Sequence, residues 1–168
     1  MATTTTIEFE FEYQVLIGQL DPHSEITFPA YFSIGRFYRE FADKQSDLLE
    51  YEDAENIAID FRNDLCWKIR DTVRKHFAQN KGVMVEDVSI VDSEFDDYVY
   101  ISANLEETID AMAHIQIVLN IEDKNAFDRN KLFKLVENRF FKQLTGEPKY
   151  AENISVCGSI SISEFIEH

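Results

Sequence analysis

Apolar and polar positions alternate over residues 7–17, with Ile7, Phe9, Phe11, Tyr13, Val15 and Ile17 set against Glu8, Glu10, Glu12, Gln14 and Leu16. A period of two belongs to a half-buried strand, so the segment predicts a strand whose wet face is a row of carboxylates. Asp21-Pro22 marks a turn, and residues 26–32 predict a second strand that closes a hairpin with the first. Around Ser33 the period changes. Ile34, Phe37, Tyr38 and Phe41 fit a short helix.

Residues 53–79 predict a long helix, because Ile57, Phe61, Leu65, Ile69, Val73 and Phe77 recur every four positions. Ala54, Ala58, Trp67 and Thr72 widen that stripe, and Asn80-Lys81-Gly82 ends it. Three strands are expected next. The first, within 83–95, has no clear register, and Asp96-Asp97 turns the chain into the second, 98–105, where Tyr98, Tyr100, Ser102 and Asn104 oppose Val99, Ile101, Ala103 and Leu105. An acid-rich linker leads to the third, 113–122, with Ala113, Ile115, Ile117, Leu119 and Ile121 inward. A helix from Asp128, its candidate N-cap, to Leu144 follows, with Leu132, Leu135, Val136 and Phe140 in its stripe and Gly146 at its stop. A strand over 154–163 sets Ile154, Val156, Gly158, Ile160 and Ile162 against serines and Cys157.

The order β-β-α-α-β-β-β-α-β predicts an α+β domain with one largely antiparallel sheet of five to six strands and two to three helices packed on one face. The other face stays wet. It would carry Glu8, Glu10, Glu12, Tyr98, Tyr100, Gln116, Asn120 and the serines of the last strand. At 168 residues, 45% of them hydrophobic, the chain suits a single domain over 1–168, with residues 1–6 as a flexible tail.

Charge changes the picture most. With 32 acids and 16 bases the net charge is −16. That repels nucleic acid and anionic membranes and favours a cationic partner. The charge is also partitioned: nine bases lie between Arg36 and Lys81, seven between Lys124 and Lys149, and none elsewhere. Residues 82–123 hold eleven acids without one Lys or Arg. Since the bases fall in the predicted helices and their flanks, the open sheet face and its loops should be acidic.

The chemistry of catalysis is missing from the pattern. No GxSxG, HExxH, GxxxxGK[ST] or GxGxxG occurs, five glycines leave little for a phosphate loop, and the four histidines form no cluster. The sequence predicts no enzyme and no cofactor. Asp92-Ser93-Glu94-Phe95-Asp96-Asp97 is rich in oxygen ligands but lacks the glycine and distal glutamate of a calcium loop, so no metal is expected. Cys66 and Cys157 have no ligand or disulfide spacing and read as buried or half-buried thiols. The basic cluster Arg70, Arg74, Lys75, Lys81 ends a helix and reads as a partner for its dipole. No apolar run approaches the roughly 20 residues of a membrane helix, and the N-terminus carries acids where a signal peptide carries bases. A cytoplasmic location is expected, in the host cell if the origin is viral.

Carboxylates on alternate residues of a strand lie about 7 Å apart, near the pitch of successive phosphates. The sequence therefore predicts a non-enzymatic inhibitor that imitates nucleic-acid charge in the basic groove of a nucleic-acid-processing protein. Its expected contacts are Glu8, Glu10, Glu12, Asp92, Glu94, Asp96, Asp97, Tyr98, Tyr100, Glu106, Glu107 and Asp110. Asp47, Glu50, Glu52 and Asp53 form a second acidic patch. In size and acidity the chain is similar to phage and mobile-element inhibitors that imitate DNA, among them antirestriction and anti-CRISPR proteins, although no motif ties it to any member. Two other readings stand beside this one. An immunity or antitoxin protein would neutralise a basic nuclease toxin through a limited patch, and a structural or oligomerising component would use its free sheet edges.

Overall fold

The computed structural model describes residues 3–20, 30–41, 47–156 and 160–167, apart from the side chains of 137–143, 145, 156 and 167. The proposed Asp21-Pro22 turn, residues 26–29 of the second strand, the Phe140 side chain, His23, His168, Cys157, Gly158 and Ser159 lie outside that description.

The chain forms β1 (Thr3–Gln19), β2 (Ala30–Ser33), α1 (Ile34–Phe41), α2 (Tyr51–Phe77), β3 (Val83–Phe95), β4 (Tyr98–Ile101), β5 (Glu106–Ile121), α3 (Arg129–Thr145), β6 (Ile154–Val156) and β7 (Ser161–Glu167). A 3-10 turn, Lys124–Ala126, precedes α3. Among the described residues every strand pairing is antiparallel, in one seven-stranded α+β sheet. The long strands β1 and β5 pair at its centre. On the β5 side lie β3 and, further along, β4 followed by β2; on the β1 side lie β6 and β7.

Alternation in β1 does what its pattern predicts. Ile7, Phe9, Phe11, Tyr13, Val15 and Ile17 are all buried. Opposite them β5 buries Ile109, Ala111, Ala113, Ile115, Ile117, Leu119 and Ile121. All three helices cover this one face. Tyr13 packs against Phe61 of α2, ring centroids 4.7 Å apart and tilted by 46°, and donates its hydroxyl to the Ala58 carbonyl at 2.9 Å. Phe9 meets Phe133 of α3 edge-on, and Phe32 meets Phe41 of α1. Each large side chain so buried is worth about 1.5–3 kcal/mol.

The helix ends follow from local chemistry. Glu52 and Asp53 sit in the first turn of α2, and Arg74, Lys75 and His76 in the last, matching its dipole. Beyond α2, Asn80 Oδ1 accepts the Gly82 N–H at 3.0 Å while its Nδ2 donates to the Ala126 carbonyl. Asp128 caps α3 by accepting the Lys131 N–H at 3.2 Å.

Several expectations are corrected. Thr3–Thr6 are no tail, since they pair with both β5 and β7. β2 makes no hairpin with β1 and pairs with β4 instead. β4 is cut short at Ile101, because Ser102 to Leu105 turn the chain, with Leu105 at φ 67°. The acid-rich linker at 106–110 is the beginning of β5. The final strand is two, β6 and β7. Trp67 is 61% exposed. It stands two residues, about 200° of helix, beyond Leu65, and Cys66 is buried in its stead.

The register of β3 is set by two bulges, at Glu86 and Val91. Val83, Val85, Val88 and Ile90 pair with inward residues of β5, and simple alternation from Ile90 would then aim Asp92 and Glu94 into the core. The extra residue at Val91 reverses the parity. Ser93 and Phe95 turn inward, and both acids face outward.

Candidate acidic interface

The uncovered face is defined by register. Glu8, Glu10, Glu12 and Gln14 of β1 pair with Gln116, His114, Met112 and Asp110 of β5. Those β5 residues pair in turn with Ser89, Asp92 and Glu94 of β3, as far as Met112. Paired residues project to the same side, so two carboxylate rows stand on this face, Glu8-Glu10-Glu12 on one strand and Asp92-Glu94 on another. Between them, from Met112 to Asn120, the outward residues of β5 bear no acid. Two strand spacings separate the rows by about 10 Å, with a pitch of about 7 Å within each.

None of the seven strands contains Lys or Arg. Among the described residues His114 carries the one basic side chain on this face; its Nε2 lies 3.1 Å from Glu8 Oε2, and its direct neighbours are Glu10 and Asp92. Described Lys and Arg side chains belong to the helices and their flanks. Several are already paired there, as Lys68 with Glu147, Lys75 with Asp71 and Arg129 with Glu164.

At one end the rows run into a shallow depression of about 650 Å³ lined by Glu12, Glu94, Asp96, Asp97, Asp110 and Met112, among others. Asp110 accepts Gln14 Nε2 at 3.0 Å, and its carbonyl holds the Asp96 N–H at 2.9 Å. Asp96 accepts the Tyr100 hydroxyl at 3.1 Å. Partial burial, this hydrogen bond and the charges of Asp96 and Asp110 raise the Tyr100 pKa. Tyr98 is on the same face of β4, and Tyr31, which sequence reasoning missed, pairs with Tyr100 from β2. The signal for it was the alternation of Tyr31 and Ser33 with Phe32 and Ile34.

Other expected residues fall elsewhere. Glu106, exposed at the start of β5, lies on the open side by alternation. Glu107 does not: it pairs with the buried Ile101 on the helix-covered side and is 0% exposed. It contributes nothing to an outer surface. Asp47, Glu50, Glu52 and Asp53 are exposed around the start of α2, outside the two rows. Together with Glu107, Glu50 and Asp53 act on Tyr38, whose hydroxyl is pushed up to about 12, first by burial and then by these charges.

No group of three or more His, Cys, Asp and Glu among the described residues is placed to hold a metal ion. Cys66 is buried, and that burial raises its thiol pKa. No helix among the described residues is long and apolar enough to cross a membrane. Comparison of the chain with known protein families, with curated proteins and with solved structures found no match.

Proposed function

We propose that this chain is a non-enzymatic binding protein whose open sheet face enters the basic groove of a nucleic-acid-processing protein and imitates the charge of nucleic acid there. One observation carries the reading: a sheet without a single Lys or Arg sets two rows of carboxylates side by side on the face the helices leave open. Two parallel lines of negative charge with a neutral strip between them resemble, in arrangement, a pair of phosphate strands flanking base edges. Such a function is of the same class as that of the phage and mobile-element inhibitors noted above. The strip carries polar, uncharged side chains, Gln116 and Asn120, and the imidazole of His114, where a nucleic-acid groove carries bases.

A second copy is a poor occupant, because stacking this face on itself would bring like charges together. A membrane and nucleic acid are repelled for the same reason. The charge instead favours a cationic protein, met rapidly and with strong salt dependence.

The test is capture on immobilised protein at low salt, elution at about 0.5 M salt, and competition by duplex DNA. A DNA- or RNA-processing protein displaced by DNA, and lost from a variant carrying E10K, E12K, D92K and E94K, supports the reading. A captured protein indifferent to both DNA and these substitutions overturns it.

A further inference from the structure

The chain has seven tyrosines, and the structure divides them. Tyr13, Tyr38 and Tyr150 donate their hydroxyls to Ala58, Leu49 and Asp64, tying the chain together inside, and Tyr51 packs on Phe95. The remaining three, Tyr31, Tyr98 and Tyr100, stand together on the open face. Tyr31 is 68% and Tyr98 43% exposed. The Tyr31 ring lies 5.9 Å from Tyr98, at 77°, and 6.2 Å from Tyr100, at 36°.

Two exposed aromatic rings, Tyr31 and Tyr98, beside the half-buried Tyr100 at the end of two carboxylate rows, lose burial energy without stabilising the core. Their hydroxyl and carboxylate neighbours show what would cover them. Asp96 is tied to Tyr100 and, through its backbone, to Asp110, while Asp97 is exposed at the same corner. Ring faces and carboxylates both attract cations. Anionic and neutral occupants gain nothing from the acids, and a strongly hydrated ammonium gains less from the rings than a planar guanidinium. The guanidinium stacks on an aromatic face while forking onto a carboxylate. The chain already uses such a contact on its own account, with Arg36 held 5.1 Å over the Phe32 ring.

We propose that Tyr31, Tyr98 and Tyr100, with Asp96 beside them, form a receptor for an arginine side chain of the basic partner. This rests on the reading of the open face as a charged docking surface and adds a residue-specific anchor to it. The carboxylate rows supply attraction that any cation satisfies, and the tyrosine cluster supplies discrimination of arginine from lysine.

The experiment compares nine-residue polyarginine and polylysine peptides, equal in charge, by titration against the intact chain and against a Y31A/Y98A double variant. Both substituted residues are exposed and carry no buried hydrogen bond, and circular dichroism checks that the fold is kept. The expected result is binding of both peptides, with arginine favoured by about three- to tenfold, and a preference that disappears in the double variant while lysine affinity stays. Y31F/Y98F, which keeps the rings, retains it. Equal affinity for the two peptides, or a preference that survives in Y31A/Y98A, overturns the arginine receptor and leaves the charged-face reading standing. Failure of both peptides to bind at low salt overturns the two together.

Discussion

Glu10 and Asp92 face one another across a single intervening strand, each directly opposite His114. That line, carboxylate-imidazole-carboxylate across β1, β5 and β3, joins the two acidic rows, and it exists only because of the Val91 bulge. Like charges kept this close repel within the folded state and are relieved when the chain unfolds.

Neutralising four of these acids, as E10Q/E12Q/D92N/E94Q, should therefore stabilise the fold by about 1–2 kcal/mol in low salt. The gain should shrink toward zero above about 0.5 M salt, where the Debye length is a few ångströms. Urea unfolding at two salt concentrations measures it. Equal stability of variant and parent in low salt would show that the rows carry no strain.

Position within the fold should separate acids that bind from those that do not. E12Q and D110N should each weaken a basic partner or polycation by several-fold, since Glu12 and Asp110 line the depression on the open face. E107Q should leave that affinity unchanged, because Glu107 is enclosed beneath the helices. Titration of the three variants against one polycation decides this.

Deleting Val91 should be far better tolerated than deleting Ser93. Val91 is the unpaired residue of the bulge, so without it Ile90 and Asp92 become neighbours and plain alternation keeps both acids outward and Phe95 inward. Removing Ser93, which is paired, turns Glu94 into the core and Phe95 out, away from Tyr51. Placing a carboxylate in apolar surroundings costs more than about 3 kcal/mol, whereas loss of the bulge should cost about 1 kcal/mol or less. Thermal melts of the two variants should differ accordingly.

Gly82 allows a close approach that no side chain would tolerate. A Cβ there would lie 2.7 Å from the Ala126 Cβ and 2.8 Å from that of Asp123. Gly82→Ala should destabilise by about 1–3 kcal/mol by prising the end of α2 from the 3-10 turn, as read by urea unfolding.

Alkali should unfold the protein through its inner tyrosines. Burial, and then the charges of Glu107, Glu50 and Asp53, lift Tyr38 from its ordinary 10 to about 12, and Tyr13 and Tyr150 shift the same way. The folded state thus holds protons that the unfolded chain releases. Its advantage is complete below pH 10 and is lost as the pH rises through 12. Stability should be level from pH 8 to 9.5 and fall beyond 10, and Tyr38→Phe should flatten that fall while losing the hydroxyl bond to Leu49.

Much of this architecture could be read from local pattern. The alternation of Phe9, Glu10, Phe11 and Glu12 gave both faces of β1, and the four-residue spacing from Phe61 to Phe77 gave α2. Parity failed where the backbone breaks its own period. The bulges at Glu86 and Val91 hid the register of β3, and the polar opening of β5 made Glu107 look like a loop acid when its inward position is two residues before Ile109. Pairing failed where partners are distant in the chain: β2 joins β4, some 65 residues on, so Tyr31 was not visible as a neighbour of Tyr98 and Tyr100. Trp67 faces water despite its size, because its place on α2 is about 200° round the helix from Leu65.

The absence of Lys and Arg from every described strand, with the described ones on the helices and their flanks, also makes the charge of the molecule lopsided, its open sheet more negative than its helical layer. A cationic partner would exert a torque on such a body before touching it, so the protein would turn its sheet forward during approach and fewer encounters would be wasted in wrong orientations. Salt would then act chiefly on the rate of association, while the lifetime of the complex would depend on short-range contacts such as those of the tyrosine cluster.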